Sequence, residues 1–94
     1  MPYARRTDRT HSEVIDALRR SGWFVFDTSR IGKGFPDAVA ARAGRVRLCE
    51  IKDGAKPPSA RKLTADEQKV AAAFGVAGVP IVVLTSAADA LRLE

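Results

Sequence analysis

Two strand-like segments, residues 37–41 and 45–52, are separated by little more than the dipeptide Ala43-Gly44, and this feature constrains the fold most. So short a connection can only join antiparallel neighbours, because parallel strands need a crossover of a dozen or more residues. Ala-Gly is an imperfect hairpin turn, since a type I′ turn requires positive φ at both central positions. The sequence nevertheless predicts a β-hairpin at the centre of the chain.

Helix and strand signals precede this hairpin. Thr10 or Ser12 can cap a helix whose apolar residues recur at helical spacing, and Gly22 can end it. Residues 23–26 are aromatic or β-branched and predict a strand. Residues 30–36, with two glycines and a proline, form a loop before the hairpin.

A loop, a helix and a strand follow the hairpin. Residues 53–62 form a basic, proline-containing loop, and the capping box Thr64-Ala65-Asp66-Glu67 starts a second helix. Either Gly75 or Gly78 can end that helix. Residues 80–84 are a continuous apolar run, which is typical of a strand buried on both faces.

The order of these elements is αβββαβ, and residues 86–93 are compatible with a short last helix. Ninety-four residues make one domain. We therefore expect a single mixed α/β domain over residues 1–94, a small mixed sheet flanked by helices. Residues 1–9, which are polar and basic, are expected to form a flexible arm.

Charge points to a polyanionic partner. Lys and Arg number 16 against 11 Asp and Glu, which gives a net charge of +5. Such an excess favours nucleic acid, although a basic protein can also be simply soluble. The residues expected to contact phosphates lie in predicted loops: Arg30, Lys33, Lys56, Arg61 and Lys62.

The cysteine count and the length of the apolar runs indicate where the protein is expected to reside. The single cysteine, Cys49, excludes an intramolecular disulfide and fits a reducing cytoplasm. No apolar run reaches the roughly 18 residues that a membrane span needs, so we expect no membrane partner.

The hairpin brings two carboxylates together if it turns about Ala43-Gly44. Asp37 then lies opposite Glu50, with both side chains on one sheet face, and Lys52 projects from that face two residues further on. Opposed Cβ atoms lie about 4.5–5.5 Å apart, so the two charges repel unless a cation sits between them. Mg²⁺ suits such a pair.

Other registers give other outcomes. A one-residue slip would send Asp37 and Glu50 to opposite faces, whereas a two-residue slip would leave them diagonal and still able to share an ion. Asp37 could instead cap a loop while Glu50 and Lys52 form an exposed ion pair. Against this, Glu50 and Lys52 continue a face that carries Val46 and Leu48, which we expect to be buried.

The run Gly34-Phe35-Pro36-Asp37 followed by Glu50-Ile51-Lys52 resembles the PD-(D/E)xK nuclease superfamily. Within it, the chain looks most like the small VRR-NUC (virus-type replication-repair nuclease) domains, with archaeal-type Holliday junction resolvases a close second. The likeness covers nearly the whole chain, and further matching positions are Ser12-Glu13, Leu18, Gly22-Trp23, Leu63-Thr64 and Gln68.

This resemblance implies a restriction-endonuclease-like core and a role for each matching residue. Asp37 and Glu50 would be metal ligands, with the Ile51 carbonyl as a third, and Lys52 would orient or activate water. The resemblance also makes Glu13 an additional ligand and Gln68 a support for Lys52 or for the scissile phosphate. Glu13 lies on the flank of its helix, so a surface role is also open, as it is for Gln68.

Two other residues with reactive side chains are expected to have a structural role and no role in the site. His11 lies on the apolar side of the first helix and is expected to be a packed or capping residue. Cys49 points away from Glu50 in the hairpin and is expected to be a small core residue.

The function that the resemblance implies is a Mg²⁺- or Mn²⁺-dependent DNA endonuclease, selective for branched DNA such as Holliday junctions. It also implies a role in DNA repair in the cytoplasm of a bacterium, or encoded by a phage. The alternatives are a catalytically silent nucleic-acid-binding or assembly module on the same fold, and an unrelated basic α/β protein.

A homodimer is expected as well. The resemblance implies a homodimer, since small stand-alone relatives in the family are expected to act as homodimers. A four-way junction has approximate two-fold symmetry, and paired incisions need two sites related by that axis. The second helix, moreover, carries more apolar surface than a small sheet needs, namely Val70, Ala71, Ala72, Ala73 and Phe74.

Overall fold

The computed structural model describes residues 5–94, with side chains from residue 9 onward. The elements are α1 (Arg5–Arg20), β1 (Phe24–Asp27), β2 (Ala38–Arg42), β3 (Arg45–Ile51), a 3₁₀ turn (Pro58–Arg61), α2 (Ala65–Val76), β4 (Ile81–Leu84) and α3 (Ala87–Leu91). The predicted mixed α/β class and the order αβββαβ with a terminal helix are confirmed.

Helix α1 begins earlier than the sequence predicted. It starts at Arg5 and not at Thr10 or Ser12, so residues 5–9 of the expected flexible arm are helical, while residues 1–4 lie outside the described residues. No glycine or proline interrupts residues 5–20, so nothing prevents the helix from extending past its cap-like residues. Its predicted end is confirmed, because Gly22 adopts φ +93° and the next amide donates back to Leu18 O at 3.0 Å.

The four strands form one sheet in the order β1-β2-β3-β4. The first three are antiparallel neighbours, and β4 pairs in parallel with β3. In the hairpin, Val39 pairs with Leu48 and Ala41 with Val46, which confirms the predicted register.

The hairpin turn is of the I′ kind, with φ +52° at Ala43 and +80° at Gly44. Glycine tolerates this conformation without strain, whereas alanine does not. The pairing of β2 with β3 therefore imposes the turn on a residue that is poorly suited to it.

The main core lies on one face of the sheet, where α1 and α3 pack. The strand residues that it buries are Val25, Ala38, Ala40, Cys49, Ile51 and Leu84. Cys49 is a core residue as expected, and burial raises the pKa of its thiol to about 11.

The opposite face, expected to be buried through Val46 and Leu48, is only partly covered. Helix α2 packs against β4 at one edge of this face, so Leu48 is buried while Val46 is 55% exposed. The expectation that residues 80–84 are buried on both faces was also wrong, because α2 covers this face of the sheet only in part. Strand β4 is an edge strand, and Val83 remains exposed.

Helix α2 confirms its predicted start. Thr64 is the N-cap, and the reciprocal hydrogen bonds of a capping box with Glu67 are both present. Of the two glycines considered as its end, Gly75 lies inside the helix and Gly78, at φ +89°, follows it. In the described part of the chain, no helix is long and apolar enough to cross a membrane.

Candidate active-site cleft

The hairpin register places Asp37 at the start of β2 beside the end of β3. Its carboxylate Oδ2 accepts a hydrogen bond from the Ile51 amide at 2.8 Å. Its backbone is held by buried Thr28, whose amide donates to Asp37 O at 2.8 Å and whose hydroxyl donates to Pro36 O at 2.7 Å. The loop that enters β2 therefore fixes where the Asp37 carboxylate lies.

Glu50 is a buried acid, only 3% exposed. Its Oε1 has no hydrogen-bond partner among the described residues. Burial, together with the neighbouring carboxylates of Glu67 and Asp37, raises the pKa of Glu50 to about 9. The predicted meeting of Asp37 and Glu50 thus occurs, and Glu67 from α2 joins them as a third carboxylate.

Lys52 lies among these acids. Its backbone amide pairs with Leu84 O of β4 at 3.0 Å, and its Nζ lies 2.7 Å from Glu67 Oε1 and 4.0 Å from Glu50 Oε2. Burial alone would raise the pKa of Glu67, but hydrogen bonds from Glu50 and Lys52 lower it to about 2. The lysine therefore pairs most closely with an acid that stays ionised.

Asp37, Lys52 and Glu67 open onto a cleft of about 350 Å³, whereas Glu50 lines a separate, much smaller hollow that it shares with Glu67. The lining of the cleft comes from α1, the ends of β1 and β3, the basic loop and α2: Thr10, His11, Ser29, Asp37, Ile51, Lys52, Asp53, Lys56, Ala60 and Glu67. A cleft of this size, lined by the carboxylates of Asp37 and Glu67 and by Lys52, can admit a phosphate group and a cation.

Among the ionisable residues that line the cleft, sequence reasoning gave no site role to His11, Asp53 and Glu67. Glu67 was assigned only to the capping box, although an N3 acid in the first turn of α2 could also face the sheet. His11, expected to be packed or capping, lines the cleft, and its Nε2 lies 2.8 Å from Asp27 Oδ2. Burial alone would raise the pKa of Asp27, but hydrogen bonds from Ser29 and His11 lower it to about 2.

Two residues matched by resemblance lie away from the carboxylates. Glu13 is exposed and lines a neighbouring hollow, which shares Thr10, Asp53 and Lys56 with the cleft. Gln68 is exposed, and its Nε2 donates to Leu63 O at 3.0 Å, so in this structure it caps the approach to α2 and does not support Lys52.

The predicted DNA-contacting residues occupy different environments. Lys56 lines both the cleft and the neighbouring hollow, and Arg61 ends the 3₁₀ turn that borders the cleft through Ala60. Arg30, Lys33 and Lys62 are exposed.

A metal would have to rely on few protein ligands here. Within residues 9–94, no group of three or more His, Cys, Asp and Glu side chains is arranged to hold a metal ion. The unpartnered buried oxygen of Glu50 and the adjacent Asp37 carboxylate nevertheless fit a hard cation, because Mg²⁺ is usually held by one or two carboxylates and keeps several waters.

Comparison of the chain with protein-family models, curated proteins and solved structures gave no match.

Proposed function

We propose that the protein is a metal-dependent DNA endonuclease whose site comprises Asp37, Glu50 and Lys52. The observation that carries the proposal is the environment of Glu50, a buried carboxyl crowded by two other acids and left with an unpartnered oxygen. Such a group destabilises the fold unless it is protonated or bound to a cation. A divalent cation held by Asp37 and Glu50 removes both the repulsion and the missing contact.

Each residue then has a chemical task. A bound Mg²⁺ or Mn²⁺ supplies Lewis acidity toward a phosphate oxygen and acidifies water. Asp37 and Glu50 hold the cation, and the Ile51 carbonyl is a candidate third oxygen. The Lys52 ammonium donates hydrogen bonds to the attacking water or to the phosphate, whose negative charge it offsets.

The charge distribution supports a nucleic-acid substrate. Acidic side chains line the cleft, yet the chain carries a net charge of +5. Lys56 also lines the cleft, and Arg61 ends the 3₁₀ turn whose Ala60 borders it. Basic residues there can hold the phosphodiester backbone over the carboxylates. We extend the proposal to branched DNA, including four-way junctions, on the strength of the family resemblance.

The test is digestion of labelled linear, flapped, splayed and four-way-junction DNA with Mg²⁺, Mn²⁺ or EDTA. Cleavage should require metal and should be lost in Glu50→Gln, which keeps the shape of the side chain. Asp16→Asn, a change at an exposed acid of α1, is the matched control and should cleave normally. Binding of DNA without metal-dependent cleavage would favour the silent binding module, and the absence of both would overturn the proposal.

We also propose a homodimer, through a surface different from the expected alanines of α2. Phe24 and Phe26 of β1 are 67% and 61% exposed on the sheet face that α2 leaves open, and the pairing places exposed Val46 in the same row as Phe24. Contiguous apolar patches of this kind are uncommon on monomers. Light scattering should give a dimeric mass that Phe24→Ser reduces to a monomeric one, and a monomeric wild-type mass would exclude the dimer.

A further inference from the structure

One oxygen of Glu67 serves two parts of the molecule at once. Glu67 Oε1 accepts a hydrogen bond from the Thr64 amide at 2.8 Å, which caps α2, and another from Lys52 Nζ at 2.7 Å. The Thr64 hydroxyl completes the cap by accepting from the Glu67 amide at 3.2 Å. The rotamer of Glu67 is thereby fixed from the helix side, and a fixed acceptor can fix its partner.

The first turn of α2 is itself docked tightly against the loop that leads to Asp37. A Cβ added at Gly34 would lie 2.4 Å from Asp66 O, so only glycine allows the two backbones to approach this closely. Glu67 is the next residue after Asp66. Its carboxylate is therefore carried by an element whose position relative to Asp37 is set by backbone contact.

The alternative partner of Lys52 is Glu50, whose Oε2 lies 4.0 Å from the ammonium. Lys52 and Glu67 side chains are both mostly buried, so their charge-assisted hydrogen bond is only weakly screened by solvent. Without the Glu67 acceptor, the nearest anionic group for the ammonium would be Glu50. An ion pair there would occupy the carboxylate that we assign to the cation.

We propose that Glu67 is a positioning residue, which holds the Lys52 ammonium at the edge of the carboxylate pair and keeps it off Glu50. The inference rests on the proposed nuclease function for its catalytic consequence, but the hold on Lys52 is a property of the folded chain itself. The Glu67 carboxylate thus orders the site as well as capping α2.

The test compares Glu67→Gln with Thr64→Ala. Glutamine keeps a neutral acceptor for the Thr64 amide but loses the charge that holds Lys52, whereas Thr64→Ala weakens the cap and leaves the lysine contact in place. We expect Glu67→Gln to lower kcat on junction DNA with Mg²⁺ by about tenfold or more, with KM little changed. Thr64→Ala should lower the melting temperature and leave kcat near that of the wild type.

A second readout does not depend on cleavage. In a ¹H–¹⁵N spectrum of lysine ammonium groups, Lys52 should give a slowly exchanging signal in the wild type and in Thr64→Ala, and this signal should weaken in Glu67→Gln. Exposed Lys69 serves as the internal reference. A wild-type Lys52 signal or a wild-type kcat in Glu67→Gln would overturn the positioning role. A wild type that cuts no DNA but shows the protected Lys52 signal would instead overturn the proposed function and leave the hold on Lys52 standing.

Discussion

The side chain of Asp37 and the backbone of Ile51 are joined by a 2.8 Å hydrogen bond between Oδ2 and the amide nitrogen. The bond spans the end of the β2–β3 hairpin, beyond the last backbone pair between these strands, Ala38 with Cys49. Asp37 therefore continues the hairpin through its side chain, and this contact directs its carboxylate toward Glu50. One group has both a structural and a proposed catalytic role, and the two can be separated.

The substitution Asp37→Asn separates the structural role of Asp37 from its proposed catalytic role. The amide oxygen can still accept a hydrogen bond from the Ile51 amide, but it binds Mg²⁺ poorly. We expect this variant to stay folded and to lose cleavage by about a hundredfold or more. Asp37→Ala should also lose stability, by about 1–3 kcal/mol, since it leaves the half-buried Ile51 amide without a partner. Urea denaturation and plasmid nicking measure the two effects, and a wild-type cutting rate in Asp37→Asn would remove this residue from the site.

The raised pKa of Glu50 predicts how stability depends on pH in the absence of metal. The folded protein holds this proton up to about pH 9, whereas the unfolded chain releases it near pH 4.5. The folded state thus binds more protons within that window, so stability should fall as pH rises from about 5 to about 9, by at most about 1.4 kcal/mol per pH unit. The low pKa of Glu67 acts only below this range.

Glu50→Gln should flatten that slope, as followed by urea denaturation in EDTA at several pH values. Metal binding must displace the same proton, so Mn²⁺ affinity of the wild type should rise over this pH range. Equal pH slopes in the wild type and the variant would show that Glu50 is not the titrating group.

The close approach of Gly34 to α2 predicts that alanine destabilises the fold much more at Gly34 than at Gly32, although both glycines lie in the same loop. Gly32 and Gly34 both have positive φ, but an added Cβ meets nothing within 4 Å at Gly32 and meets Asp66 O at 2.4 Å at Gly34. Alanine should therefore cost about 2 kcal/mol more at Gly34 than at Gly32, the range typical of overpacking. If chemical denaturation gave equal losses in the free energy of unfolding for the two variants, backbone strain at positive φ would alone account for both losses.

The hairpin turn offers a stabilising change. Ala43 adopts φ +52°, a conformation that Asn tolerates better than Ala and that Asn-Gly turns favour. Ala43→Asn should raise the free energy of unfolding by about 1 kcal/mol. Ala55→Asn, at an exposed loop position, is the control and should change stability by less than about 0.5 kcal/mol. A destabilised Ala43→Asn would show that the turn is strained for another reason.

Local signals predicted much of this fold. The register followed from the short connection at Ala43-Gly44, and the start of α2 followed from its capping box. The face that holds the core did not follow, because both faces of the hairpin are apolar. Ala40 and Ile51 lie on one face and Val39 and Leu48 on the other. The packing of α1 and α3 against the first face decides which of the two holds the core.

The candidate site likewise combines contacts that sequence spacing predicts with contacts that depend on how the helices pack. The approach of Asp37 to Glu50 follows from strand pairing, which has a strict period and can be read from spacing. Glu67 and His11 reach the cleft through the packing of α2 and α1, and no spacing rule relates a helix residue to a distant strand. Such contacts depend on helix placement, which the sequence pattern left open.

The last prediction concerns the basic loop. If the proposed function is right, phosphate contacts should give a log–log slope of binding against salt of about −0.9 for each phosphate neutralised on duplex DNA. Arg61 is half-buried and Lys62 exposed beside the 3₁₀ turn that borders the cleft, so replacing both with alanine should reduce that slope. Arg45→Ala is the matched control, because Arg45 starts β3 at the hairpin turn, the opposite end of the strand from Ile51. The control should leave the slope unchanged. Fluorescence anisotropy across a salt series measures both slopes. An unchanged slope in the double variant would remove this loop from the DNA interface and favour the exposed residues Arg30 and Lys33.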